Sequence, residues 1–588
     1  MCSHNKCVPL QRITCKNNTN LDNKTMKKSF ILTIAAALML SGCSKLGKLT
    51  SDNFKVTPTP LVETGGEVPT QITVTFPEKF MKKKAQITAT PVLRYAAGET
   101  SAQSVTYQGE KVQNNGTEVN YKLGGTYNMK ANFRYTPEML RSDLYMTFEA
   151  KLKKKVKQMP DVKIGYGILA TEDLLSRCLD GANVAIAPDD FQRVMEQKQE
   201  ANIKFLIAQS NLRTSELESV SIKDLVAVLK EINDDAEGRA LDAIEVSAYA
   251  SPDGRYDFNE KLAERRQDVS ADYLKQELKK IKMDADINTR YTAEDWDGFQ
   301  ELVSASNLQD KKVILSVLSM YKDPEEREQQ IRNMSAIYTD IKDGIMPELR
   351  RARLIVNYEI IGRSDEEILN QYKQDVSKLS LEELVYGATM LVETPAEQKD
   401  WNQTIQRLYP NDYRSFNNQA QVAYAQGDYA AAADYLAKAK KVNSRAAEVN
   451  TNLALMELRK GNLAQAESYL AQGFGANTYN EVLGSYNIAK GNYAQAVQNF
   501  DGVETNTAAL AQILAKDYAA ARQTLSKIKN ADATTAYLQA ILAARTGDTA
   551  AVVSNLRQAI EKDASLKARA KDDLEFTQYA NTITSLVK

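Results

Sequence analysis

Residues Ala243–Leu278 read AIEVSAYASPDGRYDFNEKLAERRQDVSADYLKQEL, and this stretch decides how the middle of the chain folds. Ile244–Ala248 alternates apolar and polar side chains, the pattern of a half-buried strand. Ser251-Pro252-Asp253-Gly254 ends that pattern with turn residues. Beyond it Phe258, Leu262, Val269, Tyr273 and Leu274 fall on one side of a long helix. A strand, a Pro-Gly turn and an amphipathic helix therefore follow one another directly.

The surroundings extend this unit over residues 189–362. Asn202–Ala208 (NIKFLIA) reads as a strand and Ile222–Ile232 as a helix. Asp286–Tyr291 reads as a short strand, and Leu349–Ile361 opens LRRARLIVNYEII as a closing strand. The 58 residues between Tyr291 and Arg350 carry Trp296, Phe299, Leu302, Val313 and Leu315 at helical spacing and read as an insertion. Gly254, Asn259, Leu262, Arg265 and Arg266 resemble the motif of the periplasmic OmpA-like domain that associates with peptidoglycan, which is distinct from the OmpA membrane barrel. The resemblance covers about 170 residues. It implies an α/β fold in the order β-α-β-α-β, then a last strand. It also implies a loop aspartate and a helix arginine that hold diaminopimelate, the arginine pairing its carboxylate and the aspartate receiving its ammonium. Arg266 takes the arginine position. Ser251 stands where the aspartate is expected, and Asp253, two residues on, is the candidate substitute. Arg265, Arg350 and Arg351 read equally as structural or solvated.

Met26–Cys43 reads MKKSFILTIAAALMLSGC. Two lysines precede an apolar core, Phe30–Leu40, that is too short to span a bilayer. Leu40-Ser41-Gly42-Cys43 resembles a lipobox, which implies cleavage before Cys43 and its acylation. Residues 1–25 read as an upstream mis-start, 26–42 as a signal peptide and 43–70 as a tether punctuated by Thr57-Pro58-Thr59-Pro60 and Gly65-Gly66. Neither an acidic export run nor an aspartate follows Cys43, so the expected place is the outer membrane, facing the periplasm. The mature chain from Cys43 would hold no histidine, since His4 is the only one, and its one free thiol would be Cys178 in LLSRCLDG. Ser-His-Asp, Cys-His and Cys/His zinc chemistry are then excluded. Cys178 reads as a buried, inert thiol. Carboxylate chemistry stays open among 76 acidic residues.

Length predicts three or four domains. A net charge of −1 gives no electrostatic case for nucleic acid. Strand patterns dominate residues 71–170, at Gln71–Phe76, Ala85–Tyr95, Ser104–Gln108, Glu118–Leu123, Tyr127–Tyr135 and Asp143–Leu152. Gly, Asn and Pro separate them, which predicts an all-β sandwich of the Ig-like kind. Tyr95, Tyr107, Tyr121, Tyr127 and Tyr135 read as packing residues or, alternatively, a ligand face. Lys82–Lys84 and Lys151–Lys157 (KLKKKVK) read as solvated strand ends. Leu169–Pro188 reads as a connector, which closes the β domain at 71–188.

From 363 the chain reads as helical. Ser364-Asp365-Glu366-Glu367 has capping-box spacing. GDYAAAADYL at Gly427, GNLAQAESYL at Gly461, GNYAQAVQNF at Gly491, KDYAAARQTL at Lys516 and GDTAAVVSNL at Gly547 repeat one another, at offsets of 34, 30, 25 and 31. Ala432 and Leu436, Ala466 and Leu470, and Ala496 and Phe500 keep a small residue and a large one in register, and Gly484 supplies the small residue of a first helix. The pattern resembles the tetratricopeptide (TPR) repeat, which implies an α-solenoid over 363–588 with a groove for a peptide or protein.

The sequence therefore predicts three modules: a β-sandwich, an OmpA-like α/β domain with a helical insertion, and a TPR solenoid. The whole resembles outer-membrane lipoproteins of the Bacteroidetes type. The expected function is non-catalytic and needs no cofactor or metal. The chain would link the membrane, through the lipid on Cys43, to peptidoglycan or to a protein held in the TPR groove, with Ser251, Asp253, Asn259, Arg265 and Arg266 as the peptidoglycan site. Two alternatives stand beside it. One is a structural subunit of a fimbrial or secretion-type envelope assembly without peptidoglycan binding. The other is a carboxylate-dependent glycan hydrolase in the β region.

Overall fold

The computed structural model describes residues 46–308, 311–333 and 335–587, so the expected signal peptide and lipobox, with Cys43, lie outside the described residues. The chain forms two compact units. One comprises the chain up to Ala187 together with Phe416 onward, and the other is Pro188–Ser415.

The first unit begins with β-structure. β1 (Phe54–Thr57), β2 (Leu61–Val62), β3 (Glu67–Phe76), β4 (Ala85–Tyr95), β5 (Gly98–Ser101), β6 (Val105–Gly109), β7 (Thr117–Val119), β8 (Gly125–Arg134), β9 (Ser142–Leu152), β10 (Lys155–Tyr166) and β11 (Ile168–Leu169) follow in order. β1-β3-β8 make one sheet and β10-β9-β4-β6-β7 the other, with β5 on β4 and β11 beside β2. β3 alternates strictly, turning Val68, Ile72, Val74 and Phe76 inward. They share a core with Ile87 and Ala89 of β4 and Leu144, Met146 and Phe148 of β9. This burial is what selects the strand register.

One expectation changes here and one gains detail. Residues 46–70 are not a free tether: β1 pairs with β3, and Leu49, Leu61 and Val68 are buried in the sandwich core. The Lys151–Lys157 run is the tip of a β9–β10 hairpin, with Lys153 in the left-handed region (φ 57°). β10 itself went unexpected because it is a lysine-bearing edge strand, exposed along most of its length. The tyrosines include packing residues. Tyr107 is buried with its ring 4.9 Å from Phe76 and 5.6 Å from Tyr127.

The second unit contains β12 (Val194–Lys204), α1 (Val220–Asp234), β13 (Arg239–Tyr249), α2 (Tyr256–Lys280), β14 (Ile287–Thr292) and β15 (Arg351–Ile361). The order β-α-β-α-β, then β, is as expected. The sheet runs β12-β15-β13-β14: β15 lies antiparallel between β12 and β13, and β13 and β14 are parallel. Leu225 and Leu229 of α1 and Leu274 and Leu278 of α2 pack on Ile203, Val246, Leu354 and Val356. The insertion is helical, with α3 (Trp296–Ala305), α4 (Lys311–Met320), α5 (Pro324–Asn333) and a further stretch ending at Leu349. It has its own core around Phe299, Val303, Ile314 and Ile341.

α6 (Asp365–Asp375), α7 (Leu381–Tyr386) and α8 (Pro395–Leu408) belong to this second unit, whereas the sequence placed them with the repeats. Ser364 and Glu367 do form the capping box. The helices pack around Ile368, Leu384 and Ile405, with Trp401 stacked on Tyr372 at 3.8 Å. Arg193–Asp365 and Arg363–Glu383 ion pairs tie α6 and α7 to the flanks of β12 and β15.

The repeats are five helix pairs: α9 (Arg414–Ala425) with α10 (Tyr429–Val442), α11 (Ala447–Arg459) with α12 (Leu463–Gly473), α13 (Tyr479–Ala489) with α14 (Tyr493–Asn499), α15 (Asn506–Leu514) with α16 (Tyr518–Lys527), and α17 (Ala533–Thr546) with α18 (Thr549–Lys562). α19 (Leu566–Asp572) and α20 (Ala580–Val587) close the array. Gly427, Gly461, Gly491 and Gly547 turn each pair at φ 73–80°. Lys516 adopts φ 66° at the fourth turn, so this repeat keeps its geometry without the glycine. Ala432, Ala466 and Ala496 are buried where paired helices approach, and Leu436, Leu470 and Phe500 fill the spaces beside them. Among the described residues no helix is long and apolar enough to cross a membrane.

Candidate functional site

The turn after β13 gathers the expected binding residues, but closes them on themselves. Ser251 Oγ donates to Asp253 Oδ1 at 2.5 Å. Asn259 Nδ2 donates to the carbonyls of Ser251 and Gly254, both at 3.1 Å, which pins the loop to the first turn of α2. A Cβ at Gly254 would lie 3.0 Å from Asn259 Oδ1, so the close approach suits glycine. Arg350, just before β15, donates through Nη2 to Asp253 Oδ2 at 2.9 Å and through Nε to Ser251 Oγ at 3.2 Å. Both members of this ion pair are largely buried. From the insertion, Arg332 Nη2 donates to the Asp253 carbonyl at 2.9 Å.

Arg266 is only 1% exposed. Its Nη1 donates to Tyr249 O at 2.8 Å, its Nε to Gln209 O at 3.0 Å and its Nη2 to Leu206 O at 3.2 Å, and it lies over the Phe205 ring. Burial, and then the neighbouring Arg350, push its pKa down to about 10. The guanidinium holds the C-terminal end of β13 to the segment after β12. It is not presented to a ligand. Arg265, its neighbour, is exposed. Ser251, Asp253 and Asn259 are thus together, Arg266 lies close enough to feel the charges of Arg350 and Asp253 but bonds to main-chain carbonyls instead, and Arg265 is exposed. Arg350, which the sequence left open, is the partner of the loop carboxylate.

The second candidate site lies in the first unit, and the sequence did not disclose it. Residues 171–187, read as a connector, run along the first helices of the repeat pairs. They start at the fifth pair, where Arg545 Nη2 donates to Thr171 Oγ1 at 3.1 Å, and end at the first. Asp173 pairs with Arg569, and Asp180 with Arg459 and the Tyr429 hydroxyl. Leu174, Cys178 and Leu179 are buried in the core of the array. Burial raises the Cys178 thiol pKa well above its ordinary value, as expected of an inert cysteine.

The last part of this segment is held by carboxamides. Asn452 Oδ1 accepts from Ala185 N at 2.7 Å, and its Nδ2 donates to Ala185 O at 2.8 Å. Asn418 treats Ala187 the same way, at 2.8 Å and 3.0 Å. Asn417 adds a bond to Ala185 O at 2.9 Å. Asparagine clamps that read N–H and C=O recognise main chain, whatever the side chain. The signal was present in the repeat: Asn418 and Asn452 each stand nine residues before a turn glycine (427−418 and 461−452).

A buried polar cluster joins the β-structure to the array in the same unit. Glu172 accepts from Gly65 N at 2.9 Å, from Gly66 N at 3.2 Å and from the Tyr493 hydroxyl. Glu63 is 5% exposed, and its Oε2 has no partner. Burial, then the charges of Glu172 and Asp173, push its carboxyl up to about 8.

No protein-family model and no curated protein matches this sequence. Similar solved structures include pilF of Pseudomonas aeruginosa (16% identity, TM-score 0.25, covering 37% of this chain and 100% of that one). A tetratricopeptide repeat protein from Parabacteroides merdae is 10% identical, with TM-score 0.26, over 42% of this chain and 97% of its own. The Cut9–Hcn1 hetero-tetramer of APC/C is 12% identical, with TM-score 0.29, over 53% and 64%. At these TM-scores the likeness carries no argument. The repeat assignment rests on the five helix pairs and their turn residues.

Proposed function

We propose that the protein is a non-catalytic scaffold: a lipoprotein anchored through Cys43 on the periplasmic side of an outer membrane, serving as a structural subunit of an envelope assembly. It binds protein partners through its repeat and α/β modules. The β-sandwich, the OmpA-like domain and the TPR array are, in this reading, folds retained for assembly.

The observation that carries this reading is the closure of the α/β loop cluster. A diaminopimelate clamp needs a free arginine and a free carboxylate. Arg266 is buried with its guanidinium bonded to three carbonyls, and Asp253 is neutralised by Arg350. Opening either group to a ligand would leave an uncompensated buried partner, a change that costs several kcal/mol.

Peptidoglycan binding is a second reading, favoured by the convergence of Ser251, Asp253 and Asn259 at one loop. Co-sedimentation of the full chain with purified peptidoglycan separates the two. The scaffold reading expects the chain to stay in solution. Sedimentation that Asp253→Ala abolishes, with the fold intact by circular dichroism, would establish the second reading instead.

A further inference from the structure

Ala185 and Ala187 are fully buried, and both present their N–H and C=O to the asparagines of α9 and α11. Residues i and i+2 that bond to one side define an extended segment, whose intervening residues turn their main-chain groups to the other side. Ile186 is the intervening residue, and Val184, just before Ala185, shares its side of the segment. Among the described residues nothing hydrogen-bonds the main chain of either, and the Ile186 side chain is 37% exposed. The last part of the connector, residues 184–187 after a run of short helical turns over Glu172–Gly181, is therefore an extended segment with one edge filled by asparagines and one edge free.

Val184 and Ile186 line a cavity of about 730 Å3. Gln421, Asn477, Thr478 and Asn530 line it too, so the surroundings are amide-rich. Thr478 is 6% exposed, and its Oγ1 has no partner. Two carboxylates border the space. Asp180 is paired with Arg459, whereas Glu481 accepts only from Asn183 Nδ2, at 2.9 Å, among the described residues. The cavity is thus bordered by main-chain groups without partners, at strand spacing, and by a carboxylate without a cation.

We propose that this cavity receives an extended segment of another polypeptide, which pairs its main chain with the Val184–Ile186 edge and sets a lysine or arginine against Glu481. Strand addition of this kind takes affinity from main-chain bonds and specificity from the side chains that alternate along the added strand. The groove of the array is then a composite site: this chain's own segment supplies one wall and the repeats the other. The inference rests on the scaffold reading and names the chemistry of its partner.

The test titrates the full chain with synthetic peptides of alternating valine and threonine that carry one lysine. Companion peptides replace the lysine by glutamate, or carry N-methyl groups on alternate amides. The lysine peptide binds, the glutamate peptide binds about tenfold more weakly, a difference of one charge contact, and the N-methylated peptide does not bind. Glu481→Gln removes the preference for lysine. Ile186→Pro deletes an N–H that bonds to nothing in the free protein, and abolishes binding. If that variant fails to fold, the N-methylated peptide carries the same test on the unaltered chain. Equal binding of the N-methylated peptide, a lysine preference that survives Glu481→Gln, or no binding of the lysine peptide overturns the proposal. An envelope protein that co-purifies undiminished with Ile186→Pro and Glu481→Gln would also overturn this site, while the scaffold reading would stand.

Discussion

Asn452 grips the Ala185 peptide on both sides, accepting from its N–H at 2.7 Å and donating to its C=O at 2.8 Å. The pair is buried, so neither group has water as an alternative. Asn452→Ala leaves the Ala185 N–H without its acceptor, while Asn417 still serves the carbonyl. The expected cost is roughly 1–3 kcal/mol of stability, the penalty for orphaning a buried donor. Urea unfolding of the full chain checks it, and an unchanged midpoint would show that the segment is not held by this clamp.

Glu63 sets a pH dependence with a definite sign. Its folded pKa of about 8 lies above the ordinary 4.5, so the folded protein holds this proton more tightly than the unfolded chain. Stability is full below pH 4.5, falls as the pH rises towards 8, and levels off above that. Glu63→Gln removes this slope. Its melting temperature should match that of the unaltered protein near pH 4.5 and exceed it at pH 8, by a stability difference on the order of 4 kcal/mol. Parallel melting curves across that range would contradict the assignment.

Arg266 is expected to act on stability and not on ligand affinity. Arg266→Ala orphans the carbonyls of Leu206, Gln209 and Tyr249, and should cost roughly 3 kcal/mol or more. Arg266→Lys should recover only part of this, because one ammonium cannot reproduce a planar fork. Proteolysis under increasing urea, read at cleavage sites within 188–415, measures both. Loss of peptidoglycan binding at full stability would show that Arg266 faces a ligand.

Gly484 leaves room for the Phe500 ring in the third pair. A Cβ there would lie 2.6 Å from the Phe500 ring. Gly484→Ala should destabilise by roughly 1–3 kcal/mol through overpacking, and Phe500→Leu should relieve part of that cost. A double-mutant cycle of thermal melts reads the coupling, and strict additivity would place the two residues out of contact.

Much of this architecture was legible because it rests on periodicity. The β4 boundaries, the strand-turn-helix at 243–278 and the small and large residues of the repeats at Ala432–Leu436 and Ala466–Leu470 are all local patterns. What stayed hidden depends on long-range pairing. Glu172 meets Gly65 across 107 residues and Tyr493 across 321, and the partner of Asp253 proved to be Arg350, which local spacing could not select over Arg266. The segment 171–187 reads as a connector because its small residues, Ala185 and Ala187, show no period. Only their asparagine partners give them meaning. Similarly, α6–α8 carry ordinary helix signals, and it is tertiary packing around Trp401 that assigns them to the α/β unit.

The most direct measurement is extraction of the full chain from native envelopes with mild detergent, before and after digestion of the peptidoglycan. The account predicts release by detergent alone, in a complex with a protein partner at fixed stoichiometry. A chain that stays with the sacculus until the peptidoglycan is digested, and then emerges without a partner, would contradict it.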